Sequence, residues 1–187
     1  MGKYLIYLIL AIGIGVIGYA SWEIMHSKAE ANETYEEAKK VIEEPVIEKK
    51  RERFVPEQGE VVGLLTIPKI DADLAIIEGT DPDELGKGVG HYKGAYYPDE
   101  NGQIVLSGHR DTVFKHIGEL EIGDEMKVEV PYGDYSYKIK HTEIVDANDM
   151  TIITLQNDEE ELIVTTCYPF GYIGDAPYRY IIYAERM

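Results

Sequence analysis

From residue 58 onward, turn signals cut the chain into short pieces. Apolar, β-branched runs are separated by Pro68, Gly79, a loop over 98–102, Gly123-Asp124, Gly133-Asp134, an acidic stretch, and a segment bounded by Pro169 and Pro177. Such punctuation leaves little room for helices and gives many short strands, the pattern of an all-β barrel or sandwich. The strands are expected at 61–67, 74–77, 103–107, 125–130, 135–145, 162–166 and 178–184. Within the fifth, Tyr135, Tyr137 and Ile139 alternate with Ser136, Lys138 and Lys140, the period of two that marks a half-exposed strand. Helical pieces are expected only at 82–85 and 113–117. The 15 tyrosines against 3 phenylalanines suit strands and half-buried surfaces. No internal repeat is present.

The N-terminal part reads differently. Residues 4–22 form an uncharged run of nineteen residues, YLIYLILAIGIGVIGYASW. As a helix rising about 1.5 Å per residue, this nearly crosses a hydrocarbon layer of about 30 Å. Tyr4, Tyr7, Tyr19 and Trp22 mark its ends, as interfacial anchors do. Gly18 and Ala20 have the small side chains of a cleavage site, but the run is longer than a signal-peptide core. An uncleaved transmembrane anchor over 1–25 is therefore favoured over a cleaved signal peptide. Either reading puts the remainder outside the cytoplasm. Residues 26–57 are charge-dense, and their apolar positions are too sparse for a core face. Glu36 precedes Lys40 by four residues, an order that supports a helix. This charged spacer is expected to be partly helical and to end near Pro45. Plain disorder fits its composition equally well. Residues 58–187 form the third unit, the β-domain.

Charge and cysteine content narrow the function. A formal net charge of -17 argues against nucleic acid as a partner. One cysteine excludes an intramolecular disulfide and a cysteine-rich zinc site. A lone cysteine is ordinarily a small buried apolar residue, so its surroundings must decide. In LIVTTCYPF an apolar strand runs directly into Cys167, and Pro169 stops it two residues later. The thiol thus stands where a rigid element meets a loop, a common placement for functional groups. In QIVLSGHRD a second apolar strand delivers His109, with Ser107 and Gly108 leaving room around it. Histidine exchanges protons near neutral pH. His26, in the spacer, and His141, in the alternating strand, look structural; His91 and His116 are rivals to His109. In APYRYIIYA, Arg179 opens the last apolar strand, where a guanidinium needs an anion, a carbonyl or an interface. The strands carrying Cys167 and Arg179 are consecutive, and their connection is long enough for antiparallel pairing.

Taken together, the GHRDTVF segment, the TTCYPF segment and the YRYIIYA strand resemble the sortase family, most closely its class D members from Gram-positive bacteria. The resemblance covers roughly 58–187 and extends to the layout of anchor and spacer. It implies a closed, mostly antiparallel, eight-stranded sortase-type β-barrel with short helical turns. It also implies a cysteine transpeptidase with His109, Cys167 and Arg179 as catalytic residues. Its partners would be secreted proteins with an LPxTG or LPxTA sorting signal, cleaved after Thr, and an amine of the peptidoglycan precursor. The site would lie outside a membrane crossed once by the N-terminal helix. Thr165 and Thr166 are the candidates for substrate contact, in a groove lined by the loops over 146–161 and 168–178. One departure stands out: the family's Thr-Leu before x-Thr-Cys is Ile163-Val164 here. No metal site or cofactor is expected. Asp146, Asp149 and residues 158–161 resemble a Ca²⁺-binding region of some sortases, but a solvated acidic loop is favoured. A hydrolase on the same scaffold and a non-enzymatic surface domain are the competing readings.

Overall fold

The computed structural model describes residues 2–43, 54–172 and 174–187. Eight strands run in the order β1 (Val61–Ile67), β2 (Ala72–Glu78), β3 (Val89–His91), β4 (Gln103–Ser107), β5 (Glu125–Val130), β6 (Gly133–Asp146), β7 (Glu161–Tyr168) and β8 (Tyr178–Arg186). They close into a barrel in the spatial order β1-β2-β3-β4-β7-β8-β6-β5. The β2–β3 and β4–β7 ladders are parallel and the others antiparallel. Closure leaves no unpaired sheet edge.

Seven strands coincide with the expected runs. The short β3 escaped the sequence reading, because three residues centred on Gly90 carry no periodicity. The expected helix over 82–85 is α2, Pro82–Lys87, with Pro82 in its first turn. The helix expected over 113–117 is instead a series of hydrogen-bonded turns ending in a 3₁₀ turn, Ile117–Glu119.

Period-two alternation sorts side chains between two faces. Tyr137, Ile139, Leu65, Ile76, Leu106, Met126, Leu162 and Val164 fill the barrel interior. Tyr137 is fully buried and its hydroxyl donates to Glu160 Oε1 at 2.7 Å, which satisfies the one polar atom it carries inside. Near the start of β1 the register shifts at Gly63. A Cβ there would lie 2.1 Å from the Glu129 carbonyl oxygen, so only glycine lets β1 and β5 close the barrel at that point.

The N-terminal segment corrects one expectation. Residues Gly2–Glu43 form a single helix, α1, of 42 residues. Its apolar first half is exposed, and it is long and apolar enough to cross a membrane. Its second half does have a core face. Ala38 is fully buried against Val61, Leu64, Ala75 and Ile77 on the outer surface of β1 and β2, and Tyr35 and Ile42 flank it. Thr34, Ala38 and Ile42 recur every four residues and so share one stripe. The stripe is narrow because Ala38 lets the helix come close to the sheet. Its apolar partners lie on the barrel, where a count along the segment itself could not find them. The expected end near Pro45 lies outside the described residues.

Candidate active site

The site is built from strand register. In the parallel β4–β7 ladder, Ser107 lies opposite Thr165. The Gly108 amide then donates to the Thr165 carbonyl at 3.2 Å, and the Thr166 hydroxyl donates to the Gly108 carbonyl at 2.7 Å. Two residues beyond Ser107 comes His109; two beyond Thr165 comes Cys167. In the antiparallel β7–β8 ladder, Cys167 lies opposite Arg179. Cys167 and Arg179 are thus cross-strand neighbours at about 4.8 Å strand spacing, and His109, on the turn just past the end of β4, completes a row with them.

All three side chains belong to the outer face of the barrel. Val105, Ile163 and Ile181, which precede or follow them at even spacing, pack together outside the main core, beneath Tyr92, Ile152 and Ile153. Cys167 is half-buried, not sealed in the interior, and Arg179 is half-buried while His109 is exposed. The Arg179 guanidinium donates from Nη1 to the Ala176 and Tyr178 carbonyls at 3.3 and 3.1 Å, which fixes it at the strand entrance. Behind His109, Gly108 lies against the Phe114 ring, where a Cβ would come within 2.5 Å. Phe114 is fully buried, and its amide donates to the His109 carbonyl at 3.0 Å. The histidine thus stands on a rigid turn.

Two cavities open onto this row. One, of about 340 Å³, is lined on its apolar side by Leu85, Tyr92, Met150, Ile152 and Ile153. The other, of about 690 Å³, is bounded by Arg110, Asp111 and Thr112 on one side and by Gly174, Asp175 and Ala176 on the other. His109, Cys167 and Arg179 line both. A thiol, an imidazole and a guanidinium at the junction of two clefts are groups chemically able to support acyl transfer between two substrates.

Residues 65–187 match the sortase domain family. The chain belongs to the sortase family. It is 50% identical to Sortase D of Bacillus subtilis (strain 168) over the full length of both chains. The structure of a Clostridium perfringens Sortase D5 transpeptidase matches it with a TM-score of 0.75 at 28% identity, covering 85% of this chain and 99% of that one. A Clostridium perfringens sortase C solved with the C-terminal cell wall sorting motif matches with a TM-score of 0.65 at 26% identity, covering 88% and 89%. This sortase is therefore a cysteine transpeptidase on a closed eight-stranded barrel, and its family acts on sorting-signal substrates.

The remaining sequence-expected residues fall into place around the row. Thr165 is half-buried on the outer face and lines the apolar cavity. Thr166 is 3% exposed and also borders that cavity, and its hydroxyl donates to the Gly108 carbonyl, which ties β7 to the His109 turn. Ile163, at the position where sortases usually have Thr, is fully buried under the 146–161 loop. That loop supplies Ala147, Asp149, Met150, Ile152 and Ile153 to the apolar cavity. Three of its acidic side chains have partners within the protein. Asp146 accepts from the Asn148 amide and Asp149 from Thr151; the Thr151 bonds hold the Asp149 carboxyl below its usual range. Glu160 binds Tyr137 and Arg186. Among the described residues no three acidic or histidine side chains gather as a metal-holding group.

The rival histidines lie elsewhere. His91 is 1% exposed inside the barrel, with Nδ1 2.7 Å from Glu78 and Nε2 donating to the Tyr96 carbonyl at 3.0 Å. His116 contacts Glu119 at the surface, His141 stacks on Tyr183, and His26 lies beside Trp22 on α1. Sequence reasoning missed Arg110 and the wall residues Thr80, Leu85 and Tyr92. The walls gave no signal, because they come from the crossover that carries α2 and from the residue after the short β3. Arg110 had one signal, its adjacency to His109.

Proposed function

We propose that this sortase cleaves a C-terminal sorting signal of the LPxTG or LPxTA kind after its Thr and joins the new acyl end to an amine of the peptidoglycan precursor. It would do so on the outer side of a membrane anchored by α1. The observation that supports this reading is the cross-strand row of His109, Cys167 and Arg179 opening onto two clefts. The apolar cleft suits the Leu-Pro side of a signal peptide, with Thr165 beside it.

In this reading Cys167 attacks as the thiolate, with His109 protonated, and an S–C bond forms at the Thr carbonyl carbon. The resulting oxyanion is met by the Arg179 guanidinium. The C–N bond then breaks, and His109 gives its proton to the leaving amine, which leaves a thioester. An incoming amine attacks the thioester carbonyl and passes its proton to His109 while the C–S bond breaks and the thiolate is restored. Removal of one oxyanion donor commonly costs about 10²–10³ in rate.

Product masses test the proposal. An LPxT-type peptide with an added amine should yield the amide of the Thr-terminated fragment, and water alone the slower free acid. Arg179→Ala should reduce the rate about 10²–10³-fold, and Cys167→Ala should give neither product. Free acid as the sole product, whatever amine is supplied, would assign the chain to hydrolysis instead.

A further inference from the structure

The residue after His109 is a nine-tenths buried arginine. Arg110 is 8% exposed, and its Nη2 donates to the Tyr172 and Gly174 carbonyls at 2.6 and 3.0 Å. Its Nε lies 3.4 Å from the Asp111 carboxylate, and its guanidinium carbon lies 5.8 Å from the centre of the Tyr172 ring. Among the described residues, buried Nε and Nη1 have no hydrogen-bond acceptor. A guanidinium withdrawn from water and only partly satisfied is costly, and a surface arginine would serve solubility as well.

Its placement suggests what the cost secures. Tyr172 and Gly174 belong to the connection that leaves β7 just after Cys167 and enters β8 just before Arg179. Arg110 belongs to the turn that carries His109. One side chain therefore bridges segments 62 and 64 residues apart, each holding part of the catalytic row. It also joins the two sides of the larger cavity, Arg110 to Thr112 facing Gly174 to Ala176. The strand ladder holds Cys167 opposite Arg179 by itself. The His109 turn has left the ladder after Ser107, so it is the member of the row that needs a separate fastening.

We infer that Arg110 is a positioning residue for the transfer reaction, fastening the His109 turn to the loop between Cys167 and Arg179 so that the imidazole stays at the thiol. The inference rests on the transfer reading above. A misplacement of about 1 Å can cost about 10²-fold in rate. Lysine keeps the charge and has three donors, but it lacks the planar guanidinium that lies beside the Tyr172 ring while holding Nη2 between the two carbonyls.

The test uses the full chain in detergent, with Arg110→Ala and Arg110→Lys beside wild type and His109→Ala. Below the melting temperature of each variant, both Arg110 variants should lose about 10- to 100-fold in kcat while KM stays within about twofold. Millimolar guanidinium should restore part of the kcat of Arg110→Ala and none of that of His109→Ala. Wild-type kcat in a folded Arg110→Ala would overturn the inference. So would a loss that follows the unfolded fraction and is not restored by guanidinium. If wild type itself turned over no LPxT-type peptide, the transfer reading would fall, and alkylation of Cys167 by iodoacetamide would decide Arg110 alone. A rate in Arg110→Ala equal to that of His109→Ala supports the fastening; a rate equal to wild type contradicts it.

Discussion

At the scale of single residues, the site depends on hydrogen bonds that hold its turns in place. The Thr166 hydroxyl ties β7 to the Gly108 carbonyl, and both groups are buried. Thr166→Val keeps the shape but strands that carbonyl, which costs about 1–3 kcal/mol. We expect a lower midpoint in denaturant melts and a lower kcat, whereas Thr165→Val, on the half-exposed face, should leave the midpoint near wild type. Equal midpoints for the two variants would contradict this division. The cysteine, histidine and arginine were legible in the sequence because each sits where an apolar strand meets a turn. Thr166 and Arg110 were not, because what they do depends on which carbonyl lies opposite, and that is a property of the register. Inside the barrel, Glu78 accepts from the Tyr97 hydroxyl and faces His91, with the charge of Lys93 nearby. Burial pushes the Glu78 carboxyl up, but the hydrogen bonds to His91 and Tyr97 and the nearby positive charges outweigh it, so its folded value lies below the usual carboxylate range. Such a group contributes stability above its ordinary titration range, near pH 4.3 or so, and the contribution is lost as pH falls through the folded value. The stability gap between wild type and Glu78→Gln should therefore be open at pH 7 and narrow as pH falls below about 4. A gap that widens on acidification would show that the carboxyl is raised in the fold instead.

At the scale of elements, strands were easier to read than their partners. The alternation in β6 declares itself over Tyr135, Tyr137 and Ile139 because one face is wet and the other is core. The three residues of β3 are buried throughout and too short for a pattern. The second half of α1 looked like a solvated spacer because its apolar stripe is one residue wide at the contact, Ala38. That contact has a consequence. Ala38→Asp would press a charge against Val61, Leu64, Ala75 and Ile77, and overpacking alone costs about 1–3 kcal/mol before the desolvation of the carboxylate. The melting temperature of the full chain should fall by several degrees, on the order of 2–4 °C per kcal/mol. Lys40→Asp, on the exposed side of the same helix, should leave it nearly unchanged. If both variants melted together with wild type, the helix would not be docked on the barrel in solution.

At the scale of the whole molecule, the long helix and the barrel work as one arrangement. From Trp22, the end of the apolar run, to Ala38 the helix rises about 24 Å at 1.5 Å per residue. With α1 in a bilayer, the barrel would stand at a set height on a helix that is itself part of the packing. Closure of the sheet then decides where the chemistry lies. Strands far apart along the chain become neighbours only because β4 pairs with β7 and β7 with β8, and this joins one histidine, one thiol and one guanidinium on the outer face. Strand existence and the antiparallel pairing of β7 with β8 could be read locally; the pairing of β4 with β7 could not, and the place of His109 beside Cys167 entered the sequence reading only through family resemblance. The central claim is that this row carries the acyl group on Cys167. Intact-mass measurement of the full chain quenched during turnover of an LPxT-type peptide tests it most directly. The account predicts an added mass equal to the peptide fragment ending in Thr, located on Cys167 and removed by hydroxylamine, and absent from Cys167→Ala. An adduct on another residue, or turnover by Cys167→Ala, would contradict it.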